Sequence, residues 1–195
     1  MNYLEVNCFE GRMMDRIEET ARKWHDGQLR KDGVTPYIEH PKKVAKMLQG
    51  WSFGPDSDGW AIVVAWAHDL FEATPKEKHK ELEKEILNSV KGMIGEEIQI
   101  LEAIKLLSRD KSIFPNKADY IKHIAQVACF PVLAVKIADR ICNTLDFLAL
   151  EGAGKGKAAQ YFALGEPLFV ALNRFNDSRI KKIISTIDSV RAVLC

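Results

Sequence analysis

Residues 60–74, WAIVVAWAHDLFEAT, decide the fold of this chain. The first eight residues are apolar, and a helix that is hydrophobic on all sides lies buried in a protein core. The stretch then presents His68, Asp69 and Glu72. Residues three and four apart share a helix face, so Glu72 is predicted to lie one turn beyond the other two. A buried carboxylate needs a partner, and a metal ion is one of the few that offset its cost.

The composition predicts one globular domain over residues 1–195, with 28 Lys and Arg against 27 Asp and Glu and 47% hydrophobic residues. A net charge near zero argues against nucleic-acid binding, which needs a dense cationic surface. No apolar run reaches the ~20 residues that span a bilayer, and the N-terminus lacks a secretory signal, so a cytoplasmic protein without membrane contact is expected. The cysteines lack a CxxC spacing and are expected to be reduced thiols: Cys8, Cys129, Cys142 and Cys195.

Apolar residues recur at helical spacing along most of the chain, and no stretch shows the alternation of a strand. An all-α fold, a compact bundle of about eight or nine helices, is therefore predicted. Within one of these helices, Ile98, Leu101, Ile104 and Leu107 are expected to form the buried face. The predicted helices cover residues 11–25, 41–48, 60–74, 75–90, 96–107, 119–128, 131–150, 158–174 and 179–193.

Three local features complete this prediction. The motif TPKE predicts a capping box between Thr74 and Glu77 at the start of a new helix. His79, within a helix of alternating charge, is expected to be exposed. EGAGKGKAAQ, residues 151–160, contains no GxxxxGK[ST] phosphate loop and is interpreted as a flexible connection.

A second nearly apolar helix, PVLAVKIADRICNTLDFLAL at residues 131–150, is interrupted by polar side chains. Asp139 lies among apolar residues, and Asn143 follows it by one turn. An aspartate in such a helix requires a partner. A buried ion pair with Lys136 or Arg140 and a metal ion are both consistent with the sequence.

Two turn-rich loops add positive charge. The first, HDGQLRKDGVTPYIEHP at residues 25–41, contains Arg30 and Lys31 and leads to His40. The pair suits either recognition of an anion or a solvated basic loop. The second, LSRDKSIFPNK, contributes Arg109 and Lys111.

His40, His68, Asp69 and Asp139 together offer two nitrogen and two oxygen ligands. Such a mixed set suits Mn²⁺, Fe²⁺ or Zn²⁺ better than Mg²⁺, for which imidazole is a poor ligand. A metal here would lower the pKa of a bound water and polarise a phosphoryl oxygen. Glu72 would orient the attacking hydroxide or transfer protons.

The order H, then HD, then D resembles the signature of the HD superfamily of metal-dependent phosphohydrolases. The segments RKDGVTPYIEHPKKVAKML, AWAHDLFEAT and VKIADRICNTLDF resemble the RelA/SpoT-type alarmone hydrolases, especially the small stand-alone enzymes that include the metazoan SpoT homologue. The similarity spans residues 24–150. It implies a compact all-helical bundle and hydrolysis of the 3′-pyrophosphate of ppGpp or pppGpp to GDP or GTP, usually with Mn²⁺. It also implies metal binding by His40, His68, Asp69 and Asp139.

The resemblance further implies that Arg30, Lys31, Lys111 and Asn143 contact a nucleotide polyphosphate. One position departs from the family, because Ala73 replaces the second of two acids. Two alternatives follow: hydrolysis of another nucleotide, such as an adenosine alarmone or the 2′-phosphate of NADPH, or an alarmone-binding module with impaired catalysis. No synthetase or regulatory domain is predicted, and the sequence leaves the oligomeric state open.

Overall fold

The computed structural model describes residues 3–54, 58–92, 96–150 and 154–195, with the backbone alone for residues 3–13. In these ranges the chain is helical, and its β pairing amounts to two isolated bridges. The α-helices are α1 (Tyr3–Trp24), α2 (Glu39–Gly50), α3 (Trp60–Ala67), α4 (Leu70–Ala73), α5 (His79–Ser89), α6 (Glu97–Leu107), α7 (Lys117–Val127), α8 (Phe130–Ala149), α9 (Gly154–Ala163), α10 (Glu166–Ala171) and α11 (Ile180–Leu194), with 3-10 turns at Lys76–Lys78 and Leu172–Arg174.

Helix α3 lies at the centre of the bundle and packs against α1, α2, α6 and α8. Every residue from Ala61 to Ala67 is buried, as its uniformly apolar sequence predicts. Helix α8 is also buried on all sides over about its first two thirds, from Phe130 to Cys142. Because α2 contacts both of these helices, three chain segments converge around one cluster of polar side chains: His40, His68, Asp69 and Asp139. The all-α prediction is confirmed.

The helices outnumber the prediction because two predicted helices are divided. The 60–74 segment is interrupted at His68 and Asp69, although its backbone stays near helical geometry and the amide of Ala73 still donates to the carbonyl of Asp69. The 158–174 segment divides at Gly165. A Cβ there would lie 3.0 Å from the Arg140 side chain, so close packing favours a residue without one.

The predicted flexible connection is partly wrong, because helix α9 begins at Gly154. Residues 151–153 lie outside the described ranges. Ala158 and Phe162 are buried four residues apart, and α9 packs along α8. That contact gives this glycine-containing segment a helical structure that its local composition does not favour. It also brings Tyr161 to the cavity that Asp69 and Asp139 line.

Two expectations about the turn after α4 are wrong. No side-chain cap forms, because Pro75 turns the backbone to ψ 142° and the buried hydroxyl of Thr74 makes no hydrogen bond. His79 is half-buried rather than exposed. Its Nε2 lies 3.1 Å from the carbonyl oxygen of Phe71 and 2.9 Å from that of Thr74, and donates to them. The histidine therefore ties α5 to the end of α4.

Free thiols are found at all three described cysteine side chains. Cys129 and Cys195 are exposed and Cys142 is buried, while the side chain of Cys8 lies outside the described part of the chain. Burial raises the pKa of Cys142 to about 12. Among the described helices, none combines the length and apolar character needed to cross a membrane.

Helix α6 offers a matched test of packing. Ile104 is fully buried, whereas Ile98, which the periodicity assigned to the same face, is 72% exposed in the first turn. We expect Ile104→Ala to lower the free energy of unfolding by about 2–5 kcal/mol, because it leaves a cavity. We expect Ile98→Ala to change it by less than about 0.5 kcal/mol. Urea unfolding followed by circular dichroism measures both, and equal losses would contradict this packing.

Candidate functional site

Four predicted ligands meet where α2, α3 and α8 converge. His40 lies in the first turn of α2, His68 and Asp69 form the α3–α4 junction, and Asp139 lies in the middle of α8. All four are buried. The ligand atoms of His40, His68 and Asp69 lie within 4.8 Å of one another. Asp139 Oδ1 is 3.2 Å from His40 Nε2 and 3.7 Å from His68 Nε2.

The surroundings of His68 suit a metal ligand. Its Nδ1 donates to the carbonyl of Ala65 at 2.7 Å, which leaves Nε2 as the nitrogen with a free lone pair in the neutral ring. Nε2 is buried and makes no hydrogen bond of acceptable geometry, although Asp69 Oδ1 is 3.3 Å away. An unpaired buried nitrogen beside two carboxylates is the arrangement that a divalent cation would complete.

The charges of the cluster stabilise one another. Burial opposes ionisation of both carboxyls, but His68 lowers the pKa of Asp69, and Lys136 lowers that of Asp139. Burial likewise opposes a charge on His68, yet the neighbouring carboxylates raise its pKa to about 10. Without a cation, a proton on His68 therefore compensates these charges. A metal ion would displace that proton.

Lys136 is a structural partner of the cluster. Its Nζ lies 3.1 Å from Asp139 Oδ2, while Asp139 Oδ1 faces the histidines, so the ion pair and the histidine contacts involve different oxygens. Burial opposes its charge, but the surrounding acidic groups raise the pKa of Lys136. Arg140 does not take this place. Its guanidinium lies 4.1 Å from the centre of the Tyr161 ring and donates to the Tyr161 carbonyl.

A cavity of about 880 Å³ lies next to the cluster of His40, His68, Asp69 and Asp139. Asp69 and Asp139 contribute to its wall. Glu72 also lines it, and its Oε1 accepts a hydrogen bond from the amide of Arg109 at 2.9 Å. The predicted substrate contacts all lie in this wall: Arg30, Lys31, Lys111 and Asn143.

These predicted contacts differ in their surroundings. Arg30 donates to Asn143 Oδ1 at 2.9 Å and to Asp146 Oδ2 at 2.8 Å, and its side chain is only 9% exposed. Lys31 is exposed, with its ammonium 3.9 Å from the centre of the Phe147 ring. Lys111 is exposed and forms no hydrogen bond or ion pair with any described side chain.

Three further residues were not predicted. Tyr37 donates to Asp69 Oδ2 at 2.7 Å. Burial and the charge of Asp69 raise its pKa, so the phenol keeps its proton. Lys117, at the start of α7, has its ammonium 4.7 Å from the centre of the Tyr161 ring. The residue as a whole is exposed, but desolvation of the ammonium at this position lowers its pKa to about 8. The position of Tyr37, three residues before His40, is a sequence signal that could have identified it. No such signal marks Lys117 or Tyr161.

We expect Lys136→Met to lower the free energy of unfolding of the metal-free protein by about 3–5 kcal/mol, because it leaves Asp139 without its buried cation. Added Mn²⁺ should raise the unfolding midpoint of this variant more than that of the unmodified chain, since the ion supplies positive charge to the same carboxylate.

Thermal unfolding with and without metal tests both points. Lys76→Met, which removes an exposed partner of Asp110, is the control and should change neither quantity. A Lys136→Met protein as stable as the unmodified chain would contradict this role.

Comparison with known proteins places the chain in a family. The family described as HD domain matches residues 18–163. Two relatives are the proteins named GTP pyrophosphokinase of Streptomyces coelicolor and Streptomyces antibioticus, each 28% identical over 162 residues. Each match covers 80% of this chain but only 17% and 18% of those proteins, so the chain spans less than a fifth of their length.

A solved structure of a metazoan ortholog of SpoT, which hydrolyzes ppGpp, matches with a TM-score of 0.66. The match covers 91% of this chain and 94% of the other at 20% identity, and at that identity it shows a shared fold. The family match includes α2, α3 and α8 with their histidines and aspartates. As its H, HD and D motifs predict, the chain belongs to the HD domain family.

Proposed function

We propose that the chain is a metal-dependent phosphohydrolase that removes the 3′-pyrophosphate of ppGpp and pppGpp, giving GDP or GTP and pyrophosphate. The observation that supports this most directly is the buried set of two imidazoles and two carboxylates, of which the carboxylates Asp69 and Asp139 line a cavity that also contains several lysine and arginine side chains. The ppGpp hydrolysis of the SpoT ortholog, whose fold this chain shares, adds support. The two Streptomyces proteins also have names that concern a guanine nucleotide and pyrophosphate.

In this proposal His40, His68, Asp69 and Asp139 hold the metal. The mixture of nitrogen and oxygen donors suits Mn²⁺, Fe²⁺ or Zn²⁺, and the family resemblance implies Mn²⁺. The unpaired Nε2 of His68 supports a ligand role. When bound, such an ion supplies Lewis acidity and lowers the pKa of a coordinated water. The chain itself supplies orientation, proton transfer and charge.

Glu72 is the proposed catalytic acid–base residue. Its Oε1 is occupied by the amide of Arg109, which fixes the carboxylate at the cavity wall. Its Oε2 makes no hydrogen bond to any described group, so this oxygen is available to orient the attacking water and to accept its proton.

Lys31, Lys111 and Lys117 are the proposed contacts for the negatively charged phosphates. All three line the same cavity, and its volume lies in the range of small-molecule sites. Arg30 and Asn143 also face this cavity, but Nη2 of Arg30 and both polar side-chain atoms of Asn143 are engaged within the protein.

The position of Ala73 bears on the alternative of a non-catalytic binding module. Ala73 lines a separate cavity of about 330 Å³ together with Trp24 and Lys78, whereas Glu72 lines the large one. An acid at position 73 would therefore face away from the proposed site in this backbone. We infer that Glu72 suffices for catalysis and that the substitution does not prevent turnover.

We expect the chain to release pyrophosphate from ppGpp in the presence of Mn²⁺. Asp69→Ala should abolish release, because it removes a ligand. Glu72→Gln should slow it by about 10²–10⁴-fold, the usual contribution of an acid–base group. Ala73→Asp should leave the rate unchanged. Pyrophosphate release is measured for all four proteins at saturating metal.

Other outcomes distinguish the alternatives. Turnover of an adenosine alarmone or of NADPH without turnover of ppGpp would assign another substrate. Tight binding of ppGpp without turnover would assign a binding module. Faster release by Ala73→Asp would show that a second acid does act in this site.

The lowered pKa of Lys117 predicts a pH dependence. Its charge is present below about pH 8 and is lost as the pH rises through that value, whereas a free lysine keeps most of its charge up to about pH 10. We therefore expect kcat/KM for ppGpp to fall above pH 8. Lys117→Arg should remove this decrease, because arginine stays protonated. The same pH profile in both proteins would contradict a role for Lys117 in binding phosphate.

A further inference from the structure

The orientation of the Asp69 carboxylate depends on Tyr37. Asp69 lies at the interruption between α3 and α4, with φ −100° and ψ −6°. The side-chain torsion that turns an aspartate carboxylate is soft, so its oxygens need partners to hold a fixed plane. The hydroxyl of Tyr37 donates to Oδ2 at 2.7 Å, while Oδ1 faces His68 Nε2 at 3.3 Å.

The ring of Tyr37 is itself held in place. The imidazole of His25 stacks on it with 4.6 Å between centroids and 26° between planes. The guanidinium of Arg30 lies 5.1 Å from the ring centre. His25 is buried, and its Nδ1 is 2.9 Å from Gln28 Oε1, so the stacking partner is also fixed. These contacts leave the Tyr37 hydroxyl little freedom to leave Asp69.

Arg30 connects this contact to the second carboxylate. Its guanidinium donates to Asn143 Oδ1, and Asn143 Nδ2 donates to Asp139 Oδ1. Asp146 accepts a further hydrogen bond at 2.8 Å and fixes the guanidinium. Arg30 is thus connected to Asp139 through the side-chain amide of Asn143, and to Asp69 through the ring of Tyr37.

We propose that Tyr37, held by Arg30, is a positioning residue that orients Asp69 for metal binding, and that Arg30 and Asn143 orient Asp139 in the same way. The inference deepens the proposed function and rests on its metal site. It gives Arg30 and Asn143 a task inside the protein, where the family resemblance implies contacts to substrate. Outer partners of this kind commonly contribute ten- to a hundred-fold to metal affinity.

The test is the dissociation constant of Mn²⁺, measured by isothermal titration calorimetry on the full chain. Tyr37→Phe keeps the ring and removes the hydroxyl, and should raise the Kd by about ten-fold or more. Ser89→Ala is the control. It removes a buried hydroxyl, which donates to the backbone carbonyl of Glu85 and has no contact with the cavity, and should leave the Kd unchanged. With saturating Mn²⁺, Tyr37→Phe should recover most of its kcat.

A second pair of variants tests the network from its other end and serves if Tyr37→Phe does not fold. Arg30→Met removes the guanidinium from the ring and from Asn143, and should raise the Mn²⁺ Kd several-fold. Lys31→Met removes the neighbouring cation, which makes no hydrogen bond to Tyr37 or to Asn143. It should leave the Mn²⁺ Kd unchanged and raise the KM for ppGpp.

The possible results separate this inference from the function on which it rests. Unchanged Mn²⁺ affinity in Tyr37→Phe, or equally in Arg30→Met, would overturn the positioning role while leaving the metal site intact. An unmodified chain that binds no Mn²⁺ would overturn both. Equal losses of affinity in Tyr37→Phe and Ser89→Ala would assign the effect to general destabilisation and would also overturn the inference.

Discussion

Mutual compensation of buried charges is the constraint on which the rest of the structure depends. Asp69 and Asp139 are more than nine-tenths buried at the inner wall of the cavity, and a buried carboxylate without partners would cost a large part of the stability of a domain this size. Their partners come from three parts of the chain: His40 from α2, His68 from the end of α3 and Lys136 from α8. The helices must therefore pack in one relative arrangement, and that arrangement also creates the cavity.

The features predicted from sequence are those encoded locally. Uniformly apolar segments identify α3 and α8 as the buried helices, because no polar face remains to meet solvent. A buried polar residue in such a helix then indicates a shared site, which is why His68, Asp69 and Asp139 were expected to meet. The position of Glu72 beside the same cavity follows from helical spacing alone.

The features missed depend on contacts between distant residues. Arg30 and Asp146 are 116 residues apart, and nothing in either neighbourhood predicts their ion pair. Helix α9 forms because it packs on α8, against the preference of its glycines. Ile98 matches the helical period of α6 but lies in its first turn, beyond the packed core. His79 finds its carbonyl partners only after Pro75 has turned the chain.

The interruption between α3 and α4 also affects the loop that follows α6. The carbonyl of His68 accepts a hydrogen bond from the Ser108 hydroxyl at 3.1 Å, and Glu72 accepts one from the next residue, Arg109. Two successive loop residues are thus hydrogen-bonded to the segment that contains His68, Asp69 and Glu72. This edge of the cavity would open only together with local unfolding of the α3–α4 junction, so it is a fixed wall rather than a lid. On this side of the cavity, a small molecule would therefore enter and leave without a closing step.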